Sequence, residues 1–113
     1  MAVMRGEVWR ADLSPTRGSE QSGVRPVLVV QTDRANPHSP HTIVVPFTTK
    51  IRQKLLPSHV LVPASEGGLT QDSVALCEQI RVIDTSRLLA SLGALPAARM
   101  TEVDDALRTI LAL

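Results

Sequence analysis

Few residues in this 113-residue chain have the type and placement to do chemistry. The segment Gly18-Ser-Glu-Gln-Ser-Gly-Val-Arg25-Pro26 crowds side-chain donors and acceptors into a loop that empties, through Arg-Pro, into the apolar run 27–30. Pro26 biases Arg25 toward an extended backbone. An arginine fixed at the start of a strand presents a planar fork that matches phosphate oxygens. It could equally be structural, paired with Glu20 or Glu78. Glu78 stands out as well. Within residues 73–83 it interrupts the even-numbered series Val74, Leu76, Ile80, Val82, and an unpaired carboxylate on a buried face is costly. It must therefore be paired, lifted out by a bulge, or part of a site.

Other chemistries lack their residues. His38, His41 and His59 fall in loops or at strand edges with no second ligand at metal spacing, so surface roles are expected for them and no metal or cofactor is. Spacing alone leaves a histidine-pair ribonuclease of the pancreatic kind open. No phosphate-cradling P-loop and no nucleophile elbow is present. Trp9 and Phe47 are the only aromatic residues, too few for a base-stacking platform. The lone Cys77 cannot form an internal disulfide, which fits a reducing cytoplasm.

Net charge is +1, but it is unevenly spread. Residues 1–54 hold eight Lys/Arg against four Asp/Glu, and residues 55–113 hold four against seven. A polyanion would be drawn to the first part and a basic partner to the second, although chance segregation of surface charge would look the same.

Length and a hydrophobic share of 43% predict one globular domain over residues 1–113. No apolar run suggests a membrane span, and the N-terminus does not read as a signal peptide. Alternation predicts a strand at 7–13, and a β-branched run predicts one at 27–30 buried on both faces. Further strands are expected at 42–47, 60–62 and, longest of all, 73–83. Loops fall at 14–24 and 48–58, with turns at 34–40 and 66–68. Met100, Val103, Leu107, Ile110 and Leu111 trace the apolar stripe of a closing helix, with Pro96 in its first turn. Short strands in series with one helix predict a mainly β, strongly curved antiparallel sheet or barrel.

Three segments, in order, resemble one family. RGEVWRADLSPTRGSEQSGVRPVLVVQTD is similar to the N-terminal signature of the MazF/PemK/Kid toxins, VPFTTK to their second motif and LTQDSVALCEQIRVID to their third. The resemblance implies an SH3-like antiparallel β-barrel with a C-terminal α-helix, a homodimer, and a cytoplasmic toxin of a type II toxin–antitoxin system that cleaves single-stranded RNA. It also implies an antitoxin whose acidic, extended tail covers the RNA channel. By position, the family's catalytic arginine falls on Arg25 and its catalytic threonine on Thr48. Ser19, Glu20 and Gln21 fall in the loop that closes over RNA, and Asn36, Glu78 and Gln79 match positions near the substrate groove. One departure is plain: some plasmid-borne relatives carry a catalytic arginine two residues before the acid, where this chain has Leu76.

The chemistry expected from that resemblance is attack by the ribose 2′-OH on the adjacent phosphorus, which needs neither a protein nucleophile nor a metal. Arg25 would stabilise the charged oxygens and Thr48 would hydrogen-bond the phosphate. Glu78 and a perturbed Arg25 both stand open as acceptors of the 2′-OH proton. Two other classes compete. A gyrase-binding toxin of the CcdB type shares the fold, but such relatives end in Trp-Gly-Ile and this chain ends Ile110-Leu-Ala-Leu113. A non-catalytic SH3-like binding module would want an aromatic groove.

Overall fold

The structure, a computed structural model, describes residues 2–113. Seven strands precede one helix: β1 (Glu7–Asp12), β2 (Val24–Val29), β3 (His41–Thr48), β4 (His59–Val62), β5 (Ser73–Leu76), β6 (Arg81–Asp84), β7 (Leu88–Ala94) and α1 (Ala97–Leu111). Every strand pairing is antiparallel. The hydrogen-bonded path runs β4-β5-β3-β2-β1-β7, with β6 also on β3, so the expected barrel is an open one with two strand ends. No described helix is long and apolar enough to cross a membrane.

The run at 27–30 is buried on both faces, as its composition predicts. Leu28 and Val30 point into a cluster with Val8, Phe47 and Val62, beneath α1. Val27 and Val29 point the other way, into a cluster with Trp9, Leu13 and Val44. Burial of each such side chain stabilises the fold by roughly 1.5–3 kcal/mol. The helix adds Val103, Ala106 and Leu107 to the first cluster, with Met100 packed against it. Its stripe outruns that cover, since Ile110 and Leu111 are 44% and 46% exposed. Pro96 stands at the N-cap rather than inside the first turn.

Two expectations need correction. Residues 88–94 form β7, an edge strand on β1 that the sequence reading left unassigned. Residues 73–83 are not one strand. Both β5 and β6 lie along the same edge of β3, but Thr48 pairs with Val74 and Val44 with Arg81. That is four steps along β3 against seven along its partner, so three residues are surplus. They are Cys77–Gln79, ejected as a single 3-10 turn. An odd surplus swaps the faces beyond it: Val82 is 60% exposed and Ile83 is buried, the reverse of the even-face pattern.

Candidate functional site

The ejected turn puts Glu78 and Gln79 at the surface beside the C-terminal end of β3. The cost of a buried carboxylate is thus avoided by the local geometry. Gln79 reaches across to the 19–21 loop: its Oε1 accepts from the Gln21 amide at 2.8 Å and its Nε2 donates to the Ser19 carbonyl at 3.4 Å. The loop is therefore tied to the turn by both ends of one side chain. Glu20 stays exposed and caps its own loop, accepting from the Arg17 amide at 2.9 Å.

Arg25 is half-buried at the head of β2. Its Nε donates to the Ser22 carbonyl at 2.8 Å, and one Nη donates to Gln21 Oε1 and to the Phe47 carbonyl, the latter at 3.4 Å. Among the described residues no carboxylate pairs with it. The structural alternative, an ion pair with Glu20 or Glu78, is not what is seen. The guanidinium is oriented by neutral acceptors, with no carboxylate to neutralise it.

Thr48, one residue beyond that Phe47 carbonyl, is buried at the end of β3. Its Oγ1 accepts from the Lys50 amide at 3.2 Å, which leaves the hydroxyl proton free to be donated elsewhere. Thr48 lines a cavity of about 270 Å³ together with Ser19, Gln21, Glu78, Gln79 and His59. Lys50 and Arg52 stand at its edge, with no carboxylate partner among the described residues. A second depression of about 210 Å³ shares Gln21, Glu78 and Gln79 with the first and is reached by Glu20 and Arg81. Six of the eight expected site residues, Ser19, Glu20, Gln21, Thr48, Glu78 and Gln79, therefore line one or both of two adjoining cavities. Arg25 is joined to them through Gln21.

Asn36 is not brought there. It is buried in the turn after β2, where its amide donates to Gln31 O and Asp33 Oδ1, both at 3.0 Å. Its Oδ1 accepts from Gln31 Nε2 at 2.9 Å and Thr42 Oγ1 at 3.0 Å. With its amide fully engaged, it braces the 31–42 turn.

Two further residues reach Glu78: Ser58, which no sequence pattern marks, and His59, expected at the surface but with only 7% of its side chain exposed. Ser58 Oγ donates to Glu78 Oε1 at 3.1 Å, and His59 Nε2 lies 3.0 Å from Glu78 Oε2. The missing signal was register: His59 pairs with Leu76, which sets it beside the ejected turn, and nothing in single-residue spacing reveals a cross-strand partner. Cys77, buried under the same turn, is pushed up to about 12 by burial and then by the Glu78 charge, so it stays a thiol. No cluster of three or more His, Cys, Asp or Glu suited to a metal ion occurs among the described residues.

The chain is similar in sequence and fold to known proteins over nearly all of its length. The profile of PemK-like, MazF-like toxins of type II toxin–antitoxin systems matches residues 4–111. Endoribonuclease EndoA of Bacillus subtilis (strain 168) is 50% identical over 113 residues, covering all of this chain and 97% of the relative. A mycobacterial endoribonuclease solved in complex with its cognate antitoxin superposes with a TM-score of 0.84 at 28% identity, covering 99% of this chain and 97% of that one. MazF from Deinococcus radiodurans gives 0.84 at 29% identity, covering 100% and 99%. The gyrase-binding alternative finds no support among these relatives.

Proposed function

Because this chain belongs to the PemK-like, MazF-like toxins of type II toxin–antitoxin systems, we propose that it cleaves single-stranded RNA with Arg25 and Thr48 at the reacting phosphate. The observation that carries the reading is the un-neutralised Arg25 guanidinium, held by two carbonyls and by the side-chain oxygen of Gln21, a residue that lines the Thr48 cavity. Attack by the ribose 2′-OH forms the 2′-O–P bond and breaks the bond to the 5′ oxygen, leaving a 2′,3′-cyclic phosphate and a 5′-OH. The nucleophile belongs to the substrate, so the protein's tasks are alignment and charge stabilisation. Arg25 donates to the oxygens on which negative charge grows, and Thr48 donates a hydrogen bond through its free hydroxyl to the same phosphate. Ser19, Glu20 and Gln21 supply groups for reading bases, with Gln79 setting the loop's position.

The partners follow from the same reading. The protein acts in the cytoplasm as a homodimer whose joined groove holds several nucleotides. A cognate antitoxin, through an acidic extended tail, occupies the cations that RNA would use, Lys50 and Arg52 at the cavity edge.

The test is a substrate in which one deoxyribose replaces the ribose 5′ to the mapped cut. Cleavage at that bond should stop while binding falls far less, since phosphate and base contacts supply most of the affinity. The unmodified RNA should be cut equally well in EDTA. Cleavage at the modified bond, products ending in 3′-OH and 5′-phosphate, or a requirement for added magnesium would overturn the mechanism.

A further inference from the structure

The turn that carries Glu78 is held by a segment to which no role has been given, the end of the 49–58 loop and the first residue of β4. His59 is nearly enclosed, with 7% of its side chain exposed, and both ring nitrogens are engaged. Nδ1 accepts from the Leu56 amide at 3.1 Å. A neutral imidazole has one donor and one acceptor, so the ring proton sits on Nε2. That nitrogen lies 3.0 Å from Glu78 Oε2, while Ser58, also buried, donates to Oε1 at 3.1 Å. Each carboxylate oxygen thus receives one donor from adjacent residues and retains acceptor capacity, and Glu78 lines both cavities.

We propose that His59 is a positioning residue for cleavage: fixed in its Nε2–H tautomer by the Leu56 amide, it holds the Glu78 carboxylate in place to receive the 2′-OH proton. The inference rests on the proposed 2′-OH attack. As the 2′-O–P bond forms and the bond to the 5′ oxygen breaks, the 2′-OH proton passes to Glu78, and the departing 5′ oxygen takes a proton from water. Arginine is unsuited to that task, because a guanidinium has no acceptor and does not deprotonate in proteins. A neutral imidazole N–H suits the supporting role better than a lysine would. It orients the carboxylate by a hydrogen bond, whereas an ammonium against it would hold down its affinity for a proton.

The experiment compares wild type with His59→Leu, which removes the donor, and His59→Gln, whose amide N–H ends near the position of Nε2. A mixed-sequence single-stranded transcript serves as substrate. Affinity is read on an RNA made uncleavable by deoxyribose at the mapped site. His59→Leu should lose about a hundredfold in single-turnover cleavage at saturating RNA, with affinity and melting temperature near wild type, and His59→Gln should recover most of the rate. Nitrogen-15 spectra of the wild-type ring should show the proton on Nε2. If His59→Leu does not fold, His59→Asn replaces it with the same expectation, because its amide ends at the Nδ1 position and falls short of Glu78. A folded donor-less variant that cuts at wild-type rate, equal losses of affinity and rate, failure of His59→Gln to exceed the donor-less variant, or a proton on Nδ1 would each overturn the proposal. If wild type cuts no RNA, the parent reading fails instead.

Discussion

Two neighbouring regions of the molecule treat charge in opposite ways. Around α1 the cations meet carboxylates: Arg5 with Asp104 at 2.6 Å, Arg99 with Glu66 at 2.9 Å and Glu102 at 2.6 Å, and Arg108 with Asp105 at 3.0 Å. Around the cavities they do not. Arg25 is held by Ser22, Gln21 and Phe47, and Arg81 by the Leu13 carbonyl. Lys50 and Arg52 have no carboxylate partner among the described residues. Four of the seven acids in residues 55–113 (Glu66, Glu102, Asp104 and Asp105) are thus ion-paired within the chain, which leaves fewer of them for a basic partner. The basic first half is left with charge to offer. Ion pairs fasten the helix; neutral acceptors aim the cations of the site without quenching them.

From that contrast, the largest effect is expected for Arg25→Ala. It should cut cleavage by about 10²–10³, yet leave circular dichroism and melting temperature near wild type, because no ion pair is broken. A folded variant with wild-type turnover would remove Arg25 from the site. A smaller effect is expected at the cavity edge. Lys50→Ala and Arg52→Ala should each lower the slope of log affinity against log salt by roughly 0.7 if each meets one phosphate of a single strand. An unchanged slope would place them outside the RNA path. The smallest effect lies at the helix end, where Glu66→Gln should lower the melting temperature and leave cleavage unaltered.

The same mutation sharpens the comparison through pH. The Arg99 guanidinium, by hydrogen bonding and charge, holds Glu66 below the usual carboxylate range, as the Arg5 amide and Asn36 do Asp33 and the Ser86 hydroxyl and amide do Asp84. A depressed folded value means the stabilisation is complete above the unfolded value and fades as pH falls through the folded one. Melting temperature should thus decline as pH drops below about 4, and the decline should be shallower in Glu66→Gln. A wild-type melting temperature flat from pH 5 to about 2 would contradict the assignment.

Local patterns were legible where one residue's neighbours along the chain decide its fate. Residues 27–30 had to be buried on both faces because every side chain is apolar, and Met100, Val103 and Leu107 had to face inward because they repeat at helical spacing. Arg25 could be singled out because Pro26 restricts it. Partners set by pairing were not legible. Residues 73–83 alternate well enough for one strand, and only the register against β3 shows three residues too many. Residues 88–94 alternate poorly, yet β1 offers them an open edge. His59 looked like a surface histidine because its place opposite Leu76 is a property of the sheet. Asn36 shows the opposite case: a polar residue before proline is legible as a turn, but not as the brace of that turn.

The ejected turn also separates two kinds of change that the molecule must accommodate. Because Cys77–Gln79 take no part in the ladder on β3, Glu78 and Gln79 can be exchanged without altering which side chains face the core. The length of the turn has no such freedom. Adding or deleting one residue would exchange Ile83 for Val82 on the buried side of β6. A substitution in the turn therefore changes the cavity wall and leaves the framework intact, whereas an insertion or deletion disturbs the framework itself; the wall is adjustable inside a frame whose count is fixed.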